Sequence, residues 1–440
     1  MVSERSTERS RELRTLRDKY VPNCLVNVTP VIAGTASGSW ITDVDGRKYL
    51  DFGAGIAVTS AGNCHPEVVE AVKSQAERSF HTCFHIVMQE NYIKLAQRLS
   101  DMIPGDSQTK VMFLNSGAEA VENVIKLARV FTKRRSFIAP EYGFHGRTYG
   151  ALALTSKTRP LKSGLEPFMP EVYRMPYAYC YRCSLKLSYP DCAMACIEHV
   201  ERMFTTTVAA DSVAGIVVEP VLGEGGVVVP PKEYLDGLRA LCDRYGILLI
   251  FDEIQTAFGR VGSWFAAEHF NVCPDIMTLA KALGNGMPIA AVAGRQDIMD
   301  TPVPGALGST YGGNPLAVAS SLAMLDVLEK EQLPQRAKTL GARMLNHFKL
   351  LEEKYEWVGE VRGIGMMFGI ELVKDRTTKE PDKEKATRVI AGCVEEGLIV
   401  TRAGAHGNII RIVPPLTTDE KDIDTGMEII DSIFGNIDGG

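Results

Sequence analysis

The chain has 440 residues, 45% of them hydrophobic and 23% charged, a balance that excludes a disordered or fibrous protein. At roughly 150 residues per domain the length allows two or three domains, and it can bury a large core without disulfides or a structural metal. A net charge of −6 implies no basic face for nucleic acid. No apolar run reaches the roughly 18 residues that a membrane span needs.

The first twenty residues, MVSERSTERSRELRTLRDKY, alternate acid and base and lack the apolar centre of a signal peptide. Glu4, Glu8, Glu12 and Asp18 also argue against an Arg-rich transit peptide. Of the ten cysteines, six are scattered among apolar runs, where reduced thiols pack as small hydrophobes. The expected location is cytoplasmic. Residues 38–51 read as a hairpin turning at Asp45-Gly46, too short to fold alone and expected to pack on the C-terminal part. Residues 111–114 (VMFL) read as a buried strand followed by a helix over 118–130. Residues 213–218 and 247–251 are further strands, with a helix over 234–245 between them. This β-α-β rhythm predicts an α/β fold with a mostly parallel sheet covered by helices. A Gly/Pro-rich loop covers 301–315, helices follow over 315–356, and residues 357–440 read as a smaller α+β unit with strands near 366–372 and 409–413. The expected division is an N-terminal segment (1–63) packing with the small domain, a large domain (64–330) and a C-terminal small domain (331–440).

Three features fall at the ends of predicted strands, where α/β sheets place ligand sites. Leu114-Asn115-Ser116-Gly117-Ala118-Glu119 runs from a strand through Ser-Gly into a helix. Its free N–H groups suit a phosphate, although Ser-Gly before a helix is also an ordinary cap. Ile250-Phe251-Asp252-Glu253-Ile254-Gln255 ends an apolar strand in a carboxylate that needs a partner or serves as a helix cap. Lys281 stands in an apolar stretch before the Gly-rich Gly284-Asn285-Gly286. There it either snorkels to solvent or carries a charge that is removed or used. A phosphate cradle, a carboxylate for a pyridinium nitrogen and a desolvated lysine together describe a site for pyridoxal phosphate. Asp252 and Lys281 lie 29 residues apart, about one αβ or βαβ step.

With these residues in hand, the segments 215–226 (GIVVEPVLGEGG), 251–260 (FDEIQTAFGR), 274–286 and 308–315 resemble the class-III aminotransferases of pyridoxal-phosphate fold type I. Within that family the chain is most similar to the 4-aminobutyrate aminotransferases. The resemblance implies a large central α/β domain, a small α+β domain from both chain ends, and pyridoxal 5'-phosphate as cofactor. It implies that Lys281 forms the Schiff base and shuttles the proton, that Asp252 pairs with the ring nitrogen, and that Gln255 lies near the phenolic oxygen. Ser116, Gly117 and Ala118 would bind the phosphate together with Thr310 of a neighbouring subunit, Phe144 would stack on the ring, and His145 would lie close to its substituents. A homodimer or dimer of dimers with shared sites follows from Thr310.

For the substrate, the resemblance assigns Arg147 and Arg411 to carboxylates, each offering a bidentate fork, while the bland alternatives are a cap or interface role and a cross-domain ion pair. Glu224 would pair with Arg411 when the donor has no α-carboxylate and release it for glutamate or 2-oxoglutarate. Ile56 would line the substrate slot. The implied activity is transamination of an ω-amino acid, 4-aminobutyrate foremost, with 2-oxoglutarate. Competing readings are an amino-acid racemase or epimerase, or an aminotransferase for ornithine, acetylornithine, lysine or β-alanine. Cys180, Cys183, Cys192 and Cys196 form C-x2-C-x8-C-x3-C. That spacing leaves a bound metal, reduced thiols and a local disulfide open. No metal is assigned to the site itself, and neither nucleic acid nor membrane is an expected partner.

Overall fold

A computed structural model describes residues 7–105 and 107–438. The head of the acid-and-base N-terminal segment, residues 1–6, lies outside them. The centre is a seven-stranded sheet, in spatial order Thr109–Leu114, Ala290–Arg295, Ile276–Leu279, Leu248–Asp252, Val213–Val218, Ser136–Pro140 and Val172–Met175. Ala290–Arg295 runs antiparallel to both neighbours; the other pairings are parallel. The C-terminal ends of Thr109–Leu114, Ile276–Leu279, Leu248–Asp252 and Val213–Val218 therefore share one edge. Helices cover both faces, so Val213–Val218 and Leu248–Asp252 are buried at every residue and read as continuous apolar runs rather than alternating ones.

Local signals set the helix ends. Ser116 caps Gly117–Thr132 by accepting the Glu119 N–H at 3.3 Å, and Gly246, at φ 61°, ends Lys232–Tyr245 in the left-handed conformation that glycine permits. The loop before Pro315 ends at Asn314, which caps Pro315–Lys330 through the Ala317 N–H.

Two four-stranded sheets flank the centre. One joins Ala33–Ser37, Trp40–Asp43 and Lys48–Asp51 to Leu398–Ile399, so the N-terminal hairpin is completed by a parallel strand from near the other end of the chain. The second contains Val358–Ile364, Met367–Leu372, Ile409–Ile412 and Thr401–Ala403. Arg260, fully buried, donates to the carbonyls of Met366 (2.9 Å) and Pro414 (2.6 Å) and to Ser60 Oγ (3.1 Å). Burial pulls its guanidinium down to about 9. One side chain thus ties the turn region after strand Leu248–Asp252 to Ser60 and to the Met366 and Pro414 carbonyls. No helix among the described residues is long and apolar enough to cross a membrane.

Candidate active site

The shared strand edge gathers the titratable residues. Asp252 ends its strand 3% exposed. Its Oδ1 accepts the Ile254 N–H and the Thr278 hydroxyl, each at 3.2 Å, and its Oδ2 lies 2.7 Å from His145 Nδ1. Because a carboxylate only accepts, Nδ1 carries the ring proton in that contact. His145 Nε2 is then left buried with no partner among the described residues. Three donors leave Asp252 one further accepting site.

Lys281 follows strand Ile276–Leu279 with φ 46°, a left-handed conformation rare for a lysine. Burial and the nearby Arg411 pull its amine down to about 8, against the opposing pull of Glu219, Asp252 and Glu224. A lysine so placed has a free amine within reach near neutral pH. Gln255 is buried, and its Oε1 has no partner among the described residues. The floor of the site therefore holds two buried polar atoms, on His145 and Gln255, without a hydrogen bond.

The cradle is the start of helix Gly117–Thr132. A Cβ on Gly117 would stand 2.6 Å from Ile254 Cδ1, and one on Gly146 would stand 2.8 Å from Ala118 Cβ. The cradle thus abuts both the Asp252 turn and the segment bearing His145. Ser116 is exposed at the cap. Phe144 is half-buried, with the Arg147 guanidinium 5.4 Å over its ring. On the far side Arg411, 2% exposed, sits in strand Ile409–Ile412 and bonds Glu224 Oε2 through Nη1 at 3.0 Å and Thr401 Oγ1 through Nε at 3.1 Å.

Three expected residues stand apart from this floor. Arg147 is exposed, with no carboxylate paired to it among the described residues. Thr310 is exposed on the loop after Met299, whose Ser309 hydroxyl accepts from Asn115 Nδ2 at 2.7 Å. Ile56 is 48% exposed at φ 68° in a short left-handed turn over 54–57, pinned by Asp51 Oδ1, which accepts the N–H groups of Gly53 and Ala54. A β-branched residue at positive φ is strained, and such strain gathers at ligand sites.

Sequence reasoning passed over Glu219. It directly follows strand Val213–Val218, much as Asp252 closes the neighbouring one, and it is 5% exposed. Its two oxygens accept the N–H groups of Phe144 and Gly223, both at 2.8 Å. Burial pushes its carboxyl up to about 7, opposed by His145 and aided by Asp252. The signal was available: an acid closing an apolar strand at the ligand edge.

The four insertion cysteines all line one small apolar hollow with Pro176, Tyr177 and Leu187. All are free thiols, and burial pushes Cys180 and Cys196 up to about 11. Among the described residues no three His, Cys, Asp or Glu are arranged to hold a metal ion.

A lysine with a lowered pKa, an acid at a neighbouring strand end and a helix-start cradle on a mainly parallel sheet define a fold type I pyridoxal-phosphate-dependent enzyme. The buried orphans on His145 and Gln255 and the cradle beside Ile254 fit that cofactor. The chain belongs to the class-III aminotransferases, whose family model matches residues 23–434. It is 41% identical to a probable 4-aminobutyrate aminotransferase of Bacillus subtilis, over 94% of this chain and 95% of that protein. It is 40% identical to the 5-aminovalerate aminotransferase DavT of Pseudomonas putida, over 95% of this chain and 96% of that one. Among solved structures, the amine transaminase of an uncultivated Pseudomonas species in its pyridoxal-phosphate-bound form superposes with a TM-score of 0.87 at 30% identity, covering 94% of this chain and 96% of that chain. The protein is thus an aminotransferase using pyridoxal phosphate, with an amino compound and an oxoacid as substrates.

Proposed function

We propose that the chain transfers the amino group of an ω-amino acid, 4-aminobutyrate, to 2-oxoglutarate, giving succinic semialdehyde and glutamate in two alternating half-reactions. The observation that carries this reading is the Glu224–Arg411 pair at 3.0 Å beside Lys281. A monocarboxylate donor has no second carboxylate for Arg411, and a desolvated guanidinium without a counter-charge is costly. Glu224 supplies that counter-charge, and its displacement by an α-carboxylate opens the site to glutamate and 2-oxoglutarate.

Pyridoxal phosphate, when bound, supplies the electron sink. Ser116, Gly117 and Ala118 would hold its phosphate, and Thr310 of a second copy would complete the cradle in a homodimer or larger assembly. Phe144, Asp252 and Gln255 would line its ring, with Asp252 as the acceptor for a protonated ring nitrogen and Gln255 as a polar partner for the phenolic oxygen. His145 holds Asp252 oriented. Lys281 would hold the cofactor and move the proton at the amine-bearing carbon of the donor. Arg147 binds the carboxylate far from the reacting carbon, and Ile56 forms an apolar wall against the donor's methylenes.

The test mixes the yellow holoenzyme with 4-aminobutyrate in the absence of oxoacid and follows the visible absorbance band. Loss of the band, with release of succinic semialdehyde, supports the reading. An unchanged band in enzyme that bleaches with 5-aminovalerate, ornithine, acetylornithine, lysine or β-alanine reassigns the donor. Inversion of a single amino acid without bleaching makes the protein an isomerase.

A further inference from the structure

The surroundings of Glu224 limit how it can release Arg411. Its backbone is held on three sides: the Gly223 N–H donates to Glu219, the Glu224 carbonyl accepts the Gly404 N–H at 2.8 Å, and the Gly226 carbonyl accepts from Arg362 Nη2 at 2.8 Å. The flanking glycines serve close packing rather than freedom. A Cβ on Gly223 would run into the Gln255 side chain, and one on Gly225 would meet the Tyr142 carbonyl at 2.7 Å. A loop so braced releases Arg411 by rotating the Glu224 side chain, not by moving the backbone.

The Glu224 side chain is 32% exposed where it pairs with Arg411, and a carboxylate that leaves that pair is best served by a second cation. One is in place. Lys157 Nζ stands 4.0 Å from Glu224 Oε1, the oxygen that Arg411 does not bond. Its ammonium is aimed by a 3.1 Å hydrogen bond to the Gly404 carbonyl, and the same Gly404 fixes the Glu224 carbonyl through its N–H. Gly404 does both from φ 87°, a conformation that favours glycine. Lys157 is itself 24% exposed at its side chain, so it can follow the carboxylate by a small change of rotamer.

We propose that Lys157 is a specificity-determining positioning residue: it receives the Glu224 carboxylate whenever a substrate α-carboxylate takes Arg411. The inference deepens the proposed switch and rests on it. Lys157 acts through Glu224, and its contribution falls on dicarboxylate ligands, which need Arg411 free.

The test uses holoenzyme and two readouts. Calorimetric titration compares glutarate, an unreactive dicarboxylate, with butyrate, which has one carboxylate; single-turnover bleaching compares L-glutamate with 4-aminobutyrate. In Lys157→Gln, the affinity ratio of glutarate to butyrate and the efficiency ratio of glutamate to 4-aminobutyrate should each fall about 5- to 10-fold, the range of a partly exposed pair with one partner removed. Lys157→Arg should restore most of both ratios. In a Glu224→Gln background there is no charge to receive, and Lys157→Gln should leave the ratios where Glu224→Gln alone put them. Unchanged ratios in the single variant overturn the proposal. So does a loss that persists with Glu224→Gln, because Lys157 would then be binding the substrate carboxylate itself. If wild-type enzyme bleaches with L-glutamate but with no ω-amino acid, it is the proposed function that fails, a result separable from the behaviour of Lys157.

Discussion

Two buried charge clusters lie close together in this molecule and behave in opposite ways. In the first, around Glu371, burial raises the carboxyl, but Arg362 and Arg182, with the Tyr179 hydroxyl, outweigh it and hold Glu371 below the ordinary carboxylate range. Arg362 Nη1 bonds Glu360 at 2.5 Å and Glu371 at 2.8 Å, and its Nε and Nη2 bond the Gly226 carbonyl. Arg182 Nε and the Tyr179 hydroxyl also bond Glu371. In the second cluster, around Asp252, burial wins: Glu219 rises to about 7, Lys281 falls to about 8, and His145 Nε2 and Gln255 Oε1 lack partners among the described residues. Burial of charge alone therefore does not distinguish the two clusters; a lysine brought near neutrality beside an acid that burial has raised does. The Glu371 cluster leaves Arg182 Nη2 unbonded, but its acids are paired with cations and it has no lysine brought near neutrality.

The contrast can be broken by substitution. Lys281→Ala should lower turnover by at least about 10⁴-fold and abolish the borohydride-reducible chromophore, measured by steady-state assay and absorbance. Turnover within 10-fold of wild type, a threshold of about 1.4 kcal/mol, would remove the lysine from the chemistry. Glu371→Ala strips two buried guanidinium groups of their shared partner and should cost about 3–5 kcal/mol in denaturant unfolding while leaving the visible spectrum intact. A variant of normal stability but altered spectrum would merge the two clusters into one functional unit. Asp252→Asn should do the reverse, lowering turnover by about 10²–10³-fold with a stability change near 1 kcal/mol.

The smallest effect concerns the Lys281 amine in enzyme stripped of cofactor. In the proposed role the neutral amine is the nucleophile, and with its pKa lowered to about 8 the neutral fraction rises across that value. Raising the pH from 7 to 9 should therefore speed cofactor uptake about 10-fold. A lysine at its ordinary value of 10.5 would still be climbing steeply beyond pH 9, whereas here the rate should level off.

Much of this was legible in the sequence because the signals were local. Residues 213–218 gave a strand with the observed bounds, and 111–114 and 247–251 came within two residues of Thr109–Leu114 and Leu248–Asp252. Asp252 and Lys281 were readable because a charged residue closing or following an apolar strand is conspicuous. Glu219 obeyed the same rule and was overlooked among the motif residues around it. Lys157 carried no signal at all: it is an ordinary lysine after a short helix, and its meaning comes from Gly404, 247 positions away. The Glu371–Arg362 cluster was invisible for the same reason, since its Tyr179 and Arg182 reach it across 192 and 189 positions.

The pairing of Lys48–Asp51 with Leu398–Ile399 has a consequence during synthesis. About 350 residues separate the two strands, and a ribosome adding 5–20 residues per second takes roughly 20–70 s to make them. Throughout that interval the Lys48–Asp51 strand has one open edge, its backbone donors unpaired and its apolar residues uncovered. The nascent chain must therefore either be shielded at that edge or hold the hairpin unformed until Leu398–Ile399 has emerged.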